Sequence, residues 1–281
     1  MTSARIRTPI VIFLCIAATA VGACTSRSAP NVLVSVAGAT HEGVLGWKSE
    51  HDQTVNLASQ GTVDVDVEAF AGDVTIVTDK AATETQISIR RIGTFGWGRS
   101  DDALASLGDI RYTVSLERND GHDSAVVRAV TEHPEPHFQR VDVVITVPAL
   151  GTVRVRSSRG EVWVEENRGP VDIVTSRGQI RVMTPWKMDA PMTLVTSDGD
   201  IDLRIRGESM GSFDIETVGG AAKVAVKYGR WLALDAKNDR DTMRATLNDG
   251  ANRILLRTSN ANAMVSVVPE PVSQNPFPSI W

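Results

Sequence analysis

A short turn motif that returns at near-regular intervals constrains this chain more than any other feature. Ser157-Ser158-Arg159-Gly160-Glu161-Val162 is echoed by Thr175-Ser176-Arg177-Gly178-Gln179-Ile180, then by Thr196-Ser197-Asp198-Gly199-Asp200-Ile201. Thr217-Val218-Gly219-Gly220 and Leu247-Asn248-Asp249-Gly250 are looser copies. Counted at Gly160, Gly178, Gly199, Gly220 and Gly250, the spacing is 18, 21, 21 and 30 residues. Each glycine marks a turn where a positive φ costs little only for glycine or asparagine. After each one, apolar and polar residues alternate, which is the period of a half-buried strand. The inward candidates are Val162 and Val164, Ile180 and Val182, Ile201 and Leu203, Val224 and Val226, Ile254 and Leu256. A second strand falls between glycines, with Val171 and Ile173, Leu194, Phe213 and Ile215, Leu232 and Leu234, then Val265 and Val267.

One such unit cannot bury its apolar face alone, so the copies must stack. The expected fold class is all-β, a solenoid-like stack of short strands over 149–268, with Gly160, Gly178 and Gly199 along one edge. An antiparallel β-sandwich is the alternative. A leucine-rich repeat is excluded because no helix or asparagine ladder accompanies the strands. A calcium-binding roll is excluded because Gly-Gly-x-Gly-x-Asp never recurs in tandem. A β-rich N-terminal part is expected over 55–148. Its strands are read at Val63–Glu68, Gly72–Val77, Gln86–Arg90, Tyr112–Leu116, Ala125–Ala129 and Val141–Val147. Ser100–Leu107, with Asp101 and Asp102 in its first turn, is the one good helix candidate.

The N-terminus reads as an address. Arg5 and Arg7 precede an apolar run from Pro9 to Val21 that is too short to span a bilayer, and small residues follow it. Val21-Gly22-Ala23-Cys24 resembles the lipobox of bacterial lipoproteins, which implies a signal peptide over 1–23 and lipidation at Cys24. The mature chain then has a net charge of -7 rather than -5, since Arg5 and Arg7 leave with the signal. Cys15 leaves too, so neither a disulfide nor a cysteine metal site is expected. Residues 24–54 read as a lipidated tether with one weak strand near Val32–Val36. The tail over 269–281 is rich in proline.

The strand ending Val143-Val144-Ile145-Thr146-Val147-Pro148, then Val153-Arg154-Val155, and the Thr-Ser-x-Gly-x-Ile units at 175–180 and 196–201 carry a resemblance. Over roughly 55–267 the chain resembles the bacterial putative-adhesin domain of unknown function, a β-helical repeat family common in envelope proteins and lipoproteins. The resemblance implies a right-handed β-helix and a cell-envelope setting. It implies no catalytic residues.

The residues themselves point the same way. The acidic balance argues against nucleic acid, because no basic excess is present to release counterions from phosphates. His133 and His137 are separated by Pro134 and Pro136, which forbid a helix that would align both imidazoles on a metal. Arg159, Arg177, Asp198, Glu161 and Asp200 sit at the turns, where stacking would bring Arg177 to Glu161 or Asp198. Asp200 and Asp202, joined by Asp172, are read as outward carboxylates of solvated strands. Of Trp47, Trp97, Trp163, Trp186, Trp231 and Trp281, Trp163 alternates with inward valines and should point out, where an aromatic can stack on sugar. No catalytic, cofactor or metal residues are expected. The expected function is a non-enzymatic, membrane-anchored, extracytoplasmic lipoprotein that offers a rigid β surface to an envelope polymer or membrane protein. A polysaccharide-active enzyme and an accessory protein of an envelope-stress sensor are the alternatives.

Overall fold

The computed structural model describes residues 34–43, 46–119, 122–234 and 240–273. The signal segment, Cys24 and the tail beyond Ser273 lie outside the described residues. In chain order the strands are β1 (Val34–Gly43), β2 (Gly46–Leu57), β3 (Val63–Ala69), β4 (Val74–Thr78) and β5 (Thr85–Phe95). Then come helix α1 (Ser100–Ser106), β6 (Ile110–Asn119), β7 (His122–Thr131), β8 (Gln139–Val147), β9 (Leu150–Arg159) and β10 (Val162–Glu165). The chain continues through β11 (Val171–Arg177), β12 (Ile180–Met183), β13 (Met192–Thr196), β14 (Ile201–Ile205) and β15 (Gly211–Thr217). It finishes with β16 (Ala222–Val226), β17 (Trp231–Ala233), β18 (Thr242–Leu247), β19 (Arg253–Thr258) and β20 (Ala263–Val267).

These strands form two mixed, largely parallel ten-stranded sheets. The first runs β1-β2-β5-β8-β4-β10-β12-β14-β20-β16, the second β17-β18-β15-β19-β13-β11-β9-β3-β7-β6. Alternation dictates the faces. Val74, Val162, Ile180, Ile201 and Ala263 lie in one register across five parallel strands of the first sheet. Val67, Val155, Ile173, Leu194, Leu256 and Ile215 do the same in the second. All of them are buried in one cluster between the sheets. Each such side chain stabilises by roughly 1.5–3 kcal/mol.

The turn glycines stack as their spacing predicts. A Cβ at Gly178 would lie 2.0 Å from the carbonyl oxygen of Gly160, and one at Gly199 2.2 Å from that of Gly178. Gly72 joins the column, with 2.0 Å between a Cβ on Gly160 and the Gly72 oxygen. Their φ values, +117° at Gly72, +119° at Gly160, +133° at Gly178 and +154° at Gly199, lie where side chains are strained. The threonine of each motif has its own task. The buried hydroxyl of Thr196 donates to the Gly178 carbonyl at 3.2 Å, and that of Thr258 to Gly199 at 3.0 Å. These two hydroxyls tie a turn to its neighbour, while those of Ser157 and Thr175 close their own turns on the Arg159 and Arg177 carbonyls.

Three readings change. Most of the stretch expected as a tether is ordered: β1 and β2 form an antiparallel hairpin, and β2 pairs in turn with β5. Leu232 and Leu234 are not core residues. They are 52% and 57% exposed, because β17 is an edge strand that pairs, among the described strands, with β18 alone. Residue 148 does not break the sheets, since β4 and β8 continue the first sheet beyond β10. The last strands also depart from chain order. β20 lies between β14 and β16, and β19 between β13 and β15, so late strands insert between earlier ones in both sheets.

Candidate binding surface

One row of outward side chains crosses nearly the whole first sheet. Thr54, Ser88, Val144, Thr75, Trp163, Arg181, Asp202, Met264 and Lys223 are successive register partners across nine strands. Rigid backbone ladders therefore hold polar and aromatic groups about 4.8 Å apart from strand to strand.

A groove of about 340 Å³ opens at the N-terminal half of this face, lined by Asp52, Arg90, Asp142, Asp73 and the hydroxyls of Thr54, Ser88 and Thr75. Arg90 Nε donates to Asp52 Oδ1 at 2.8 Å, and this pairing raises the guanidinium pKa further above its ordinary value. The Asp73 amide donates to Asp142 Oδ1 at 3.1 Å, and the Glu161 amide donates to Asp73 Oδ1 at 2.8 Å. Burial pushes the Asp142 carboxyl above the usual carboxylate range, against the pull of its backbone hydrogen bond. Asp73 also lines a neighbouring groove of about 390 Å³ with His137, Phe138, Arg140 and Arg159. Arg159 donates to the carbonyls of Pro136 and Gln139 at 2.6 and 3.1 Å, so the turn arginine braces the loop that forms this wall.

Beyond the grooves, Trp163 points outward as its alternation predicts. The Arg181 guanidinium carbon lies 4.6 Å from its ring centroid, and its Nε1 donates to Glu165 at 2.8 Å. Trp186 carries Arg168 at 3.9 Å. Both are cation–π stacks on the ring face. Trp97 is 61% exposed, while Trp231 packs against Phe213 at 4.8 Å. Trp281 lies outside the described residues, as does the side chain of Trp47.

The turn charges do not pair as expected. Arg177 meets Asp198 through a backbone bridge, and neither Glu161 nor Asp198 forms an ion pair with it among the described residues. Asp172 pairs with Arg156 instead. Asp200 Oδ1 accepts from the Asn262 amide at 2.8 Å. Asp202 is the clear correction. It is buried at 3% exposure, with Arg181 at 3.1 Å and Arg204 at 2.7 Å. Long cationic side chains on its own and the next strand cover it, so it is a neutralised charge rather than a solvated one. The two histidines diverge. His133 stands edge-on to Phe95 at 5.6 Å, and His137 packs on Phe138 at 4.1 Å.

No family model and no curated protein matches the chain. Among solved structures, a putative cell adhesion protein from Clostridium sporogenes matches with a TM-score of 0.50 at 6% identity, over 79% of this chain and 100% of that one. A putative adhesin from Bacteroides fragilis matches with a TM-score of 0.27 at 13% identity, over 77% and 97% of the two chains. The first likeness is one of fold: a mostly β protein of two largely parallel mixed sheets.

Proposed function

We propose that the chain is a non-enzymatic lipoprotein of the bacterial cell envelope, held at the membrane by acyl chains on Cys24, that binds an envelope polymer. In this reading residues 1–23 are the signal peptide. Residues 24–33 join Cys24 to the first strand, and the two sheets form a right-handed solenoid. The outer face of the first sheet receives the ligand. One observation carries the reading: a single row of nine outward residues crosses that face and runs past the polar groove at Asp52, Arg90, Asp142 and Asp73. An extended polymer of hydroxyl-bearing units matches such a row, because each unit meets a new strand. The carboxylates of the groove are engaged by Arg90 and by backbone amides, which suits hydrogen-bonded recognition more than acid–base chemistry.

The test is retention of the protein on envelope polysaccharide, with released sugars assayed in parallel. Retention without product, weakened when Asp73 and Ser88 are both changed to Ala, supports the reading. Released product assigns an enzyme instead. Retention of one membrane protein, lost when 269–281 is deleted, assigns a sensor accessory. Mass spectrometry of membrane-extracted protein should find acylated Cys24, and Cys24→Ser should leave the precursor unprocessed.

A further inference from the structure

The two ends of the first sheet are finished differently. At one end β1 and β2 form a long hairpin. At the other the sheet stops at β16, which pairs with β20 alone among the described strands. The parallel ladder to β20 uses alternate residues of β16. Ala263 donates to the Ala221 carbonyl at 3.1 Å, and Lys227 donates to the Val267 carbonyl at 2.9 Å. With the register Val224↔Val265, the ladder therefore engages Ala221, Lys223, Ala225 and Lys227. On the other side the Ala222 amide donates to the Arg240 carbonyl at 2.8 Å, so the edge left open is that of Val224 and Val226, whose amides and carbonyls point away from β20.

The side chains complete the picture. Val224 and Val226 face the core yet are only half-buried. The core is therefore open where another strand would continue it. Beyond the strand, Tyr228 is 59% and Leu232 52% exposed. The stretch 221–234 holds Lys223, Lys227 and Arg230 and no acid, in a chain of net charge -5. Arg230 pairs with Asp249, which leaves the two lysines flanking the outward side of β16.

We infer that β16 accepts an eleventh strand in the first sheet, supplied by an extended segment of a partner protein in which apolar residues alternate with acidic ones. Backbone bonds to Val224 and Val226 set its position, apolar residues extend the core, and acids meet Lys223 and Lys227. This is strand addition at a sheet edge, where the ladder supplies affinity and alternate side chains supply choice. The lysines also exclude the obvious competitor. A second copy pairing β16 to β16 would place like charges opposite one another, which is unfavourable.

The probe is a synthetic peptide copying residues 63–69, Val-Asp-Val-Asp-Val-Glu-Ala, whose alternation has the required form. It is titrated into the ¹⁵N-labelled full chain, beside a control peptide with lysine at the three acidic positions. The Val224 and Val226 amides should shift, and the control should bind about tenfold more weakly or worse. Val224→Pro removes an edge donor that the β20 ladder does not use. It should weaken binding about tenfold with the melting temperature little changed. Should that variant fail to fold, the exposed-side pair Lys223→Glu and Lys227→Glu gives the same answer by reversing the preference between peptides. The inference falls if the acidic peptide does not bind, if the shifts lie elsewhere, or if the charge reversal leaves the preference intact. It also falls if sedimentation shows a dimer through this edge, or if the lysines instead carry the protein onto anionic vesicles.

Discussion

The segment from Leu150 to Ile205 and the segment after Gly207 are built from the same turn motif, yet they assemble by different rules. In the first, each glycine-to-glycine unit of 18–21 residues lays one strand in each sheet, and neighbours in sequence are neighbours in space. β9, β11 and β13 follow one another in the second sheet, and β10, β12 and β14 in the first. In the second segment β15 and β16 skip one place. β19 and β20 then fill the gap, and β18 with β17 turns back antiparallel against β15. The outcome is that β19 and β20, the last described strands, lie inside the sheets rather than at their rim. Ile254, Leu256, Ala263, Val265 and Val267 are all buried, whereas β16 and β17, made earlier, are the exposed rim. A regular repeat therefore determines where strands are but not which strands meet.

The sharpest way to break this comparison is to end the chain at Asn252. In a simple head-to-tail stack, losing the last unit would trim only the rim. Here it removes a strand that lies between two others in each sheet and six buried apolar side chains, roughly 10 kcal/mol of burial. That is comparable with the whole stability of an ordinary domain. The truncated chain should show no cooperative thermal transition by circular dichroism.

The glycine column gives the next largest effect. Gly178→Val places a branched side chain at φ +133° with its Cβ 2.0 Å from the Gly160 oxygen, so both backbone strain and a backbone clash oppose it. A loss of about 3 kcal/mol or more is expected from chemical denaturation. Gly61→Ala is the control. Its φ is +69° but nothing lies within 4 Å, so only the strain remains and about 1 kcal/mol should be lost.

Charge burial separates the outer faces of the two sheets, Asp202 on β14 of the first and Asp66 on β3 of the second. Asp202→Ala removes a buried carboxylate that Arg181 and Arg204 share, and should cost about 3 kcal/mol. Asp66→Ala breaks a partly exposed pair with Arg128 at 2.7 Å and should cost about 1 kcal/mol or less. Equal losses would mean that Asp202 is solvated after all.

The smallest effect is a pH dependence. Arg118 Nε donates to Asp123 at 2.7 Å and holds its carboxyl below the ordinary carboxylate value. A depressed carboxylate stabilises above its unfolded pKa, and that stability is lost as pH falls through the folded value. Acidification below about pH 4 should therefore lower the melting temperature of the native chain more than that of Asp123→Asn. Arg118 is 58% exposed, so the difference should be no more than about 1 kcal/mol.

Much of the N-terminal part was legible residue by residue. Val63–Glu68 lies within β3, Val141–Val147 within β8, and Ser100–Leu107 holds α1. Trp163 was placed on the correct face by alternation alone. Gly72 was not recognised as a member of the column. Its Gly72-Asp73-Val74-Thr75-Ile76 run has the same form as the later motifs, but β5, α1 and the strands to β9 intervene before Gly160, so no spacing betrays it. The groove was equally hidden. Asp52, Arg90, Asp142 and Asp73 come from β2, β5, β8 and the turn before β4, and only the pairing of those strands brings them together. Asp202 was misplaced for a related reason. Its face was read correctly, but its burial depends on Arg181 across the ladder.

What the sequence determined by itself is local: strand positions, the side of each strand that is apolar, and the turns that tolerate only glycine. These follow from φ/ψ sterics and from a side-chain period of two, which need no knowledge of neighbours. Strand order, the insertion of β19 and β20, the groove and the open edge at β16 were decided only by the tertiary structure. Alternating valines present the same apolar face to any partner, so many pairings satisfy the local pattern equally well. The choice among them lies with whichever arrangement closes the core between both sheets at once.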